Sequence, residues 1–311
     1  MRAVLLTEVK QAIGVPNAVV ISDGQRSIRK AVEVALPGVP HALCHFHYLR
    51  EAAKLIYAAE RHAKKELKKQ VRGVRAIERS IADSDDQGAE IVRGYCLAVR
   101  SALTDDGRPP LEASGLKLHE RLSRTSAKPR TGGSKGGFPA PLFKLKQILS
   151  KGLEQTASLW LPLTIAYNWV HEAAKILENQ AGLDATLVQL CFQSLLDAMS
   201  ACQTWVGSLA SGIVHFLKVT NSYWSGIFHC YTVEELPRTN NGLEQIFGTL
   251  RHHHRRCTGR KVAPASLILR GSVQLLACIA TQIKTWDAEH LATVSVADWR
   301  CLRSKVRAAS H

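Results

Sequence analysis

The stretch that most constrains the fold lies near the N-terminus. Ala18-Val-Val-Ile-Ser22 is a short β-branched run that stops at Asp23-Gly24, which predicts a strand ending in a turn. Gln25 to Leu36 then predicts a helix, with Ile28, Ala31, Val32 and Ala35 at helical spacing and a stop at Pro37-Gly38. His41-Ala-Leu-Cys44 is a second short apolar run. Strand, helix and strand in this order predict a right-handed crossover that makes the two strands parallel neighbours.

Beyond this unit the pattern turns helical. Residues 46–81 read as one long helical region, with Leu49, Ala53, Ile56 and Tyr57 on one face and Lys and Arg crowding the stretch from Arg61 to Arg79. That basic stretch fits either a solvated, salt-bridged face or a surface that tracks phosphates. A further helix is expected near 89–103. The Gly-, Pro-, Ser- and Lys-rich segment 104–141 is expected to be a mobile loop. Two or three helices should follow between Leu142 and Leu217. Pro237-Arg-Thr-Asn-Asn-Gly242 is a turn cluster, and Leu243, Ile246, Phe247 and Leu250 mark a helix with Thr239, Asn240 and Asn241 available as caps. The intensely basic run 251–261 and an apolar helix over 265–283 come last.

Charge bears on partners. In 311 residues, 41 Lys and Arg face 26 Asp and Glu, a formal charge of +15 that favours a polyanion, nucleic acid first, through phosphate contacts and counterion release. The 46% hydrophobic residues suffice for a real core. Eight cysteines are scattered without a CxxC pair, which fits a reducing, cytoplasmic setting rather than a disulfide scaffold. The N-terminus makes a poor signal peptide. The longest stretch free of Asp, Glu, Lys and Arg, Ala198 to Leu217, is too polar for a membrane span and reads as buried helix; no membrane partner is expected.

Two acids stand at positions suited to chemistry. Asp23 ends a strand, so its carboxylate projects from the carboxyl edge where open α/β sheets bind ligands. Glu244 opens a helix whose N-terminus attracts phosphate. Each also has a plain explanation: Asp23-Gly24 as an Asx turn capping the next helix, and Asn241-Gly-Leu-Glu244 as a capping box. A phosphoryl-transfer site needs several such oxygens converging on Mg²⁺ or Mn²⁺.

Taken in order, the pieces resemble DDE transposases of the Mutator-like type and related bacterial insertion sequences. The resemblance is carried by Val20-Ile-Ser-Asp-Gly24, by Cys44-His-Phe-His47, and by Arg238-Thr-Asn-Asn-Gly-Leu-Glu244 followed by the basic run. It implies that Asp23 is the second acid, Glu244 the third, both metal ligands, and Cys44 and His47 the signature pair. Arg251, Arg255, Arg256, Arg260 and Lys261 are expected to touch the DNA backbone. The implied fold is α/β: an incomplete ribonuclease-H-like core, helix-rich overall, interrupted by a large α-helical insertion. Residues 1–50 would be partial core, 51–225 the insertion, and 226–311 the return to the core. The implied chemistry is Mg²⁺- or Mn²⁺-dependent phosphodiester cleavage and strand transfer, acting on transposon ends and target DNA.

The family's first Asp has no counterpart here, since Glu8 stands in a helix-like context. The chain is therefore expected to be a truncated or split transposase, inactive alone, partnered by itself or by an upstream-encoded fragment, with an exposed sheet edge and a tendency to aggregate. Rival expectations are a non-enzymatic DNA-binding remnant or regulator, a helical interaction protein in which both acids are caps, and a different nuclease on the same core. Cys44 and His47 with His45, His252 or His254 are a further candidate set for zinc, although the His252-His-His254 tract amid arginines fits a phosphate-facing surface better. Trp160, Trp169, Trp205 and Trp224 fit core packing better than base stacking.

Overall fold

The computed structural model describes residues 2–13, 19–105, 107–127 and 140–242, with single positions at 244, 245, 248, 249, 252 and 300. Helix α1 (Arg2–Ile13) precedes β1 (Val20–Ser22), α2 (Arg26–Ala35) and β2 (His41–Leu43). The strands pair in parallel with Val20 opposite His41 and Ser22 opposite Leu43, as the strand–helix–strand pattern predicts. Then come α3 (His45–Ala52), α4 (Lys54–Gln70), α5 (Val74–Ser80), α6 (Gln87–Thr104), α7 (Ser114–Ala127), α8 (Ala140–Gln155), α9 (Ala157–Glu178), α10 (Ala185–Ala201) and α11 (Ala210–Tyr223). Short 3₁₀ turns occupy Gln203–Leu209 and His229–Tyr231. Two units are delimited, Met1–Asn240 and Asn241–His311.

The expected ribonuclease-H-like α/β core is overturned. Among the described residues the sheet consists of β1 and β2 alone, three residues each, and everything else regular is helical. The cause is legible in the packing. The free edge of β2 is met by the irregular turn after α11, where the Leu43 N–H donates to the Gly226 carbonyl at 2.9 Å. Just beyond the strand, the His45 N–H donates to Arg238 O at 3.0 Å. The predicted exposed edge is thus covered on the β2 side. Gly226 is required there, because a Cβ would lie 2.8 Å from His41 O.

The long helical region resolves into α3, α4 and α5, broken near Ala53 and at Gly73, which has φ +112°. Within the expected loop, Ser114–Ala127 is α7, held by Leu118 and Leu122 buried one turn apart, whereas 128–139 lie outside the described residues. Ala198 to Leu217 is not one helix: it spans the end of α10, a 3₁₀ turn with Gly207 at φ +48°, and the start of α11. Among the described residues no single helix is long and apolar enough to cross a membrane. The apolar helix expected over 265–283 lies outside the described residues.

Leu43 of β2 joins the core of the bundle, whereas Val32, Ala35 and Leu36 of α2 form a smaller cluster of their own with Val20 and Val39. Tyr48 of α3 is fully buried, with Phe192, Phe216 and Tyr223 around its ring at centroid distances of 5.5–6.3 Å. Thr220 Oγ1 donates to Phe216 O at 2.8 Å, so the 2.6 Å bond between the two hydroxyls has Tyr48 as donor. Gly226→Ala is expected to destabilise the protein by about 1–3 kcal/mol through overpacking against β2. Urea unfolding measures it, and an unchanged midpoint would mean that the β2 edge is not closed in this way.

Candidate functional site

Asp23 sits at the carboxyl tip of β1, half-buried, in a turn that the fold ties down from several sides. Its Oδ1 accepts the Gln25 N–H at 2.9 Å, an Asx turn at the start of α2. Gly24 has φ +77° and a Cβ there would lie 2.8 Å from the Tyr223 hydroxyl oxygen, so this position needs glycine on two counts. Arg29 from the second turn of α2 donates through Nε to Gly24 O at 2.7 Å and through Nη1 to Ser222 O at 2.6 Å, with its guanidinium 4.2 Å over the Tyr223 ring. The Tyr223 hydroxyl donates to Asp23 O at 3.2 Å. The backbone that carries the carboxylate is thereby fixed to the end of α11, far away in sequence.

Two histidines flank this turn. His41 Nε2 lies 2.8 Å from Ser22 Oγ, which in turn accepts the Gly24 N–H at 3.1 Å. Burial first, then the Arg29 charge, holds the His41 imidazole below its ordinary pKa, while Asp23 pulls it slightly the other way. His45, at the start of α3, is buried, and its Nε2 lies 2.6 Å from Ile227 O. A carbonyl only accepts, so Nε2 carries the proton. Burial pushes this imidazole down to about 4. Cys230 Sγ lies 3.5 Å from the same nitrogen, and burial raises its thiol to about 11.

That electrostatic setting bears on metals. In the metal-free chain this thiol stays protonated near neutrality, so a metal bound there would have to displace its proton. Cys44, fully buried, precedes α3 and its N–H donates to Ser22 O at 2.8 Å, while His47 is buried within α3 with its ring edge-on to Phe46 at 5.6 Å. The signature pair thus belongs to the strand–helix junction. Among the described residues no three His, Cys, Asp or Glu side chains gather as a metal site. Asp23 offers oxygen of the kind a hard cation prefers, yet it is a single carboxylate.

Glu244 is helical and exposed, and it belongs to the Asn241–His311 unit, so each acid is described within its own unit. Arg251, Arg255, Arg256, Arg260 and Lys261 lie outside the described residues, as does His254; His252 is helical and exposed. Of the tryptophans, Trp160 is buried, Trp169 and Trp224 pack against the core, and Trp205 is 66% exposed, contrary to the core role expected for it.

Sequence reasoning passed over Arg29, Tyr223 and Cys230, whose roles depend on contacts across the chain, and it named His45 only as a candidate zinc ligand. It also passed over Glu60 and Lys64, both buried in α4. These two left a signal: Ile56, Glu60, Ala63 and Leu67 form one apolar stripe in which Glu60 takes a core position. Glu60 Oε1 accepts the Gly115 N–H and so caps α7, and burial raises its pKa.

The His45 geometry makes a pH prediction. The unfolded chain takes up a proton on this imidazole below about pH 6.5, the folded chain only below about 4. The stability contributed by neutral His45 is therefore complete above 6.5 and lost as pH falls toward 4, on the order of 3 kcal/mol in all. Urea unfolding across that window should show a shallower acid loss in His45→Gln than in the parent; parallel curves would rule the effect out. Comparisons with protein-family models, curated proteins and solved structures found no match, so the reading of this site rests on its own residues and geometry.

Proposed function

We propose that this chain is part of a DDE-type DNA transposase, with Asp23 and Glu244 supplying two of the acids that hold Mg²⁺ or Mn²⁺ and the basic run 251–261 gripping the DNA backbone. The observation that carries the reading is Asp23 itself: a half-buried carboxylate at the carboxyl tip of a parallel strand, on a turn anchored by Arg29 and Tyr223. Such anchoring pre-positions an acid, which a metal-assisted displacement at phosphorus requires. The Cys44-His-Phe-His47 junction following on the partner strand and the formal charge of +15 add support. A bound divalent ion would polarise the scissile phosphate; the chain's own part is to hold the carboxylates and the strand.

A second reading, a DNA-binding protein without metal chemistry, is favoured by the Asx turn, since Asp23 Oδ1 already serves the Gln25 N–H. Mn²⁺ titration separates the two. Asp23→Asn and Glu244→Gln should each weaken Mn²⁺ binding beyond the roughly tenfold to hundredfold that loss of an outer-shell partner costs. Equal affinity in parent and variants would leave only the second reading. Alanine at Arg251, Arg255, Arg256, Arg260 and Lys261 should flatten the dependence of duplex affinity on salt, by about 0.9 in log–log slope for each phosphate that is no longer neutralised. Failure of the parent chain to bind duplex DNA at low salt would sink both.

A further inference from the structure

A second basic feature lies within the helical bundle, on elements quite separate from Asp23. A pocket of about 630 Å³ opens between α4 and the segment joining α6 to α7. Its α4 wall carries Tyr57, Arg61, Lys64, Lys65 and Lys68, and Gly107 and Ser114 line the opposite side. Among the described residues no carboxylate lines it. The nearby acids of α4 are committed elsewhere: Glu66 pairs with Lys69 at 2.7 Å, and Glu60 is buried beneath the helix, capping α7.

The pocket is built, not a chance gathering of surface lysines. Lys64 is 7% exposed, and its Nζ donates to Asp105 O at 2.6 Å and Ser114 Oγ at 3.0 Å, which holds the opposite wall against α4. Gly115 is needed beside it, since a Cβ there would lie 2.7 Å from Glu60 Oε1. Arg61 and Lys65 stand one helical turn apart on the exposed face and form no ion pair among the described residues. One turn separates them by about 6 Å along the axis, a spacing from which two cations can reach successive phosphates of one strand. Both side chains are exposed at a recess lined by further cations, which concentrates the field.

We propose that this pocket binds the sugar-phosphate backbone of a nucleic-acid strand, with Arg61 and Lys65 on adjacent phosphates and Tyr57 along the sugar edge. It is a second DNA contact, distinct from residues 251–261, and it rests on the DNA-binding part of the reading above. The consequence is that the helical bundle, not only the segment after Glu244, takes part in holding DNA. The contact is to the backbone, so it carries no sequence preference.

The test is duplex affinity against salt for three proteins: the parent, Arg61→Ala with Lys65→Ala, and a control of equal charge loss on α8, Lys146→Ala with Lys151→Ala. The pocket variant should bind about tenfold more weakly at moderate salt, with its log–log slope reduced by roughly 1.8. The control should stay close to the parent. Parent-like slopes in the pocket variant, or equal changes in both variants, overturn the pocket while leaving DNA binding in place; no binding by the parent overturns both. Inorganic phosphate alone provides a further arm. Saturable phosphate binding lost in the pocket variant, with duplex affinity unchanged, would make this a site for a free anion and overturn the strand assignment. Unfolding midpoints of all three proteins should coincide, since Arg61 and Lys65 are exposed.

Discussion

A pair of three-residue parallel strands has too few ladder bonds to stand alone, and the architecture of the Met1–Asn240 unit follows from how that deficit is met. Helix α2 covers the pair through Val32, Ala35 and Leu36, packed with Val20 and Val39. The turn after α11 closes the β2 edge through Gly226. Arg29 then joins the turn after β1 to the end of α11, bonding one backbone carbonyl in each. Residues nearly two hundred positions apart are thereby held together, and the bundle between them is obliged to fold back on itself around Tyr48.

Several polar groups drawn into this arrangement find backbone partners in remote segments. His45 finds Ile227 O, Arg29 finds Ser222 O, and Glu60 finds the Gly115 N–H at the start of α7. Buried polar groups left unpaired cost more than paired ones gain, so such bonds select one packing of the helices over alternatives of similar apolar burial. The same economy shapes function. Asp23 is positioned by bonds to its backbone and by the Gln25 N–H that its Oδ1 accepts. The α4 pocket is likewise shaped by Lys64, whose ammonium anchors the far wall while Arg61 and Lys65 stay exposed.

Much of the local structure was legible. The β-branched run before Asp23-Gly24, the helical spacing to Leu36 and the apolar run at His41 specified both strands, the helix between them and their parallel pairing. The wider α/β core did not follow, because short motifs report turns and strand tips rather than the number of strands beside them. Among the described residues a glycine backbone, not a further strand, meets the β2 edge. Helix α7 was hidden for a compositional reason: Gly, Pro and Lys around it outweighed Leu118 and Leu122 on its one buried face.

By itself the sequence determined the periodicities, the turns at Gly24 and Gly38, the excess of positive charge, and the placing of Asp23 at a strand end. These depend on neighbours within a few positions, whose sterics and spacing act at any stage of folding. Tertiary structure alone decided that β2 is edged by Gly226, that Arg29 and Tyr223 hold the Asp23 turn, that His45 stays neutral, and that Lys64 walls a basic recess. Each of these is a contact between distant segments, and its energy exists only once the chain has closed the loops between them.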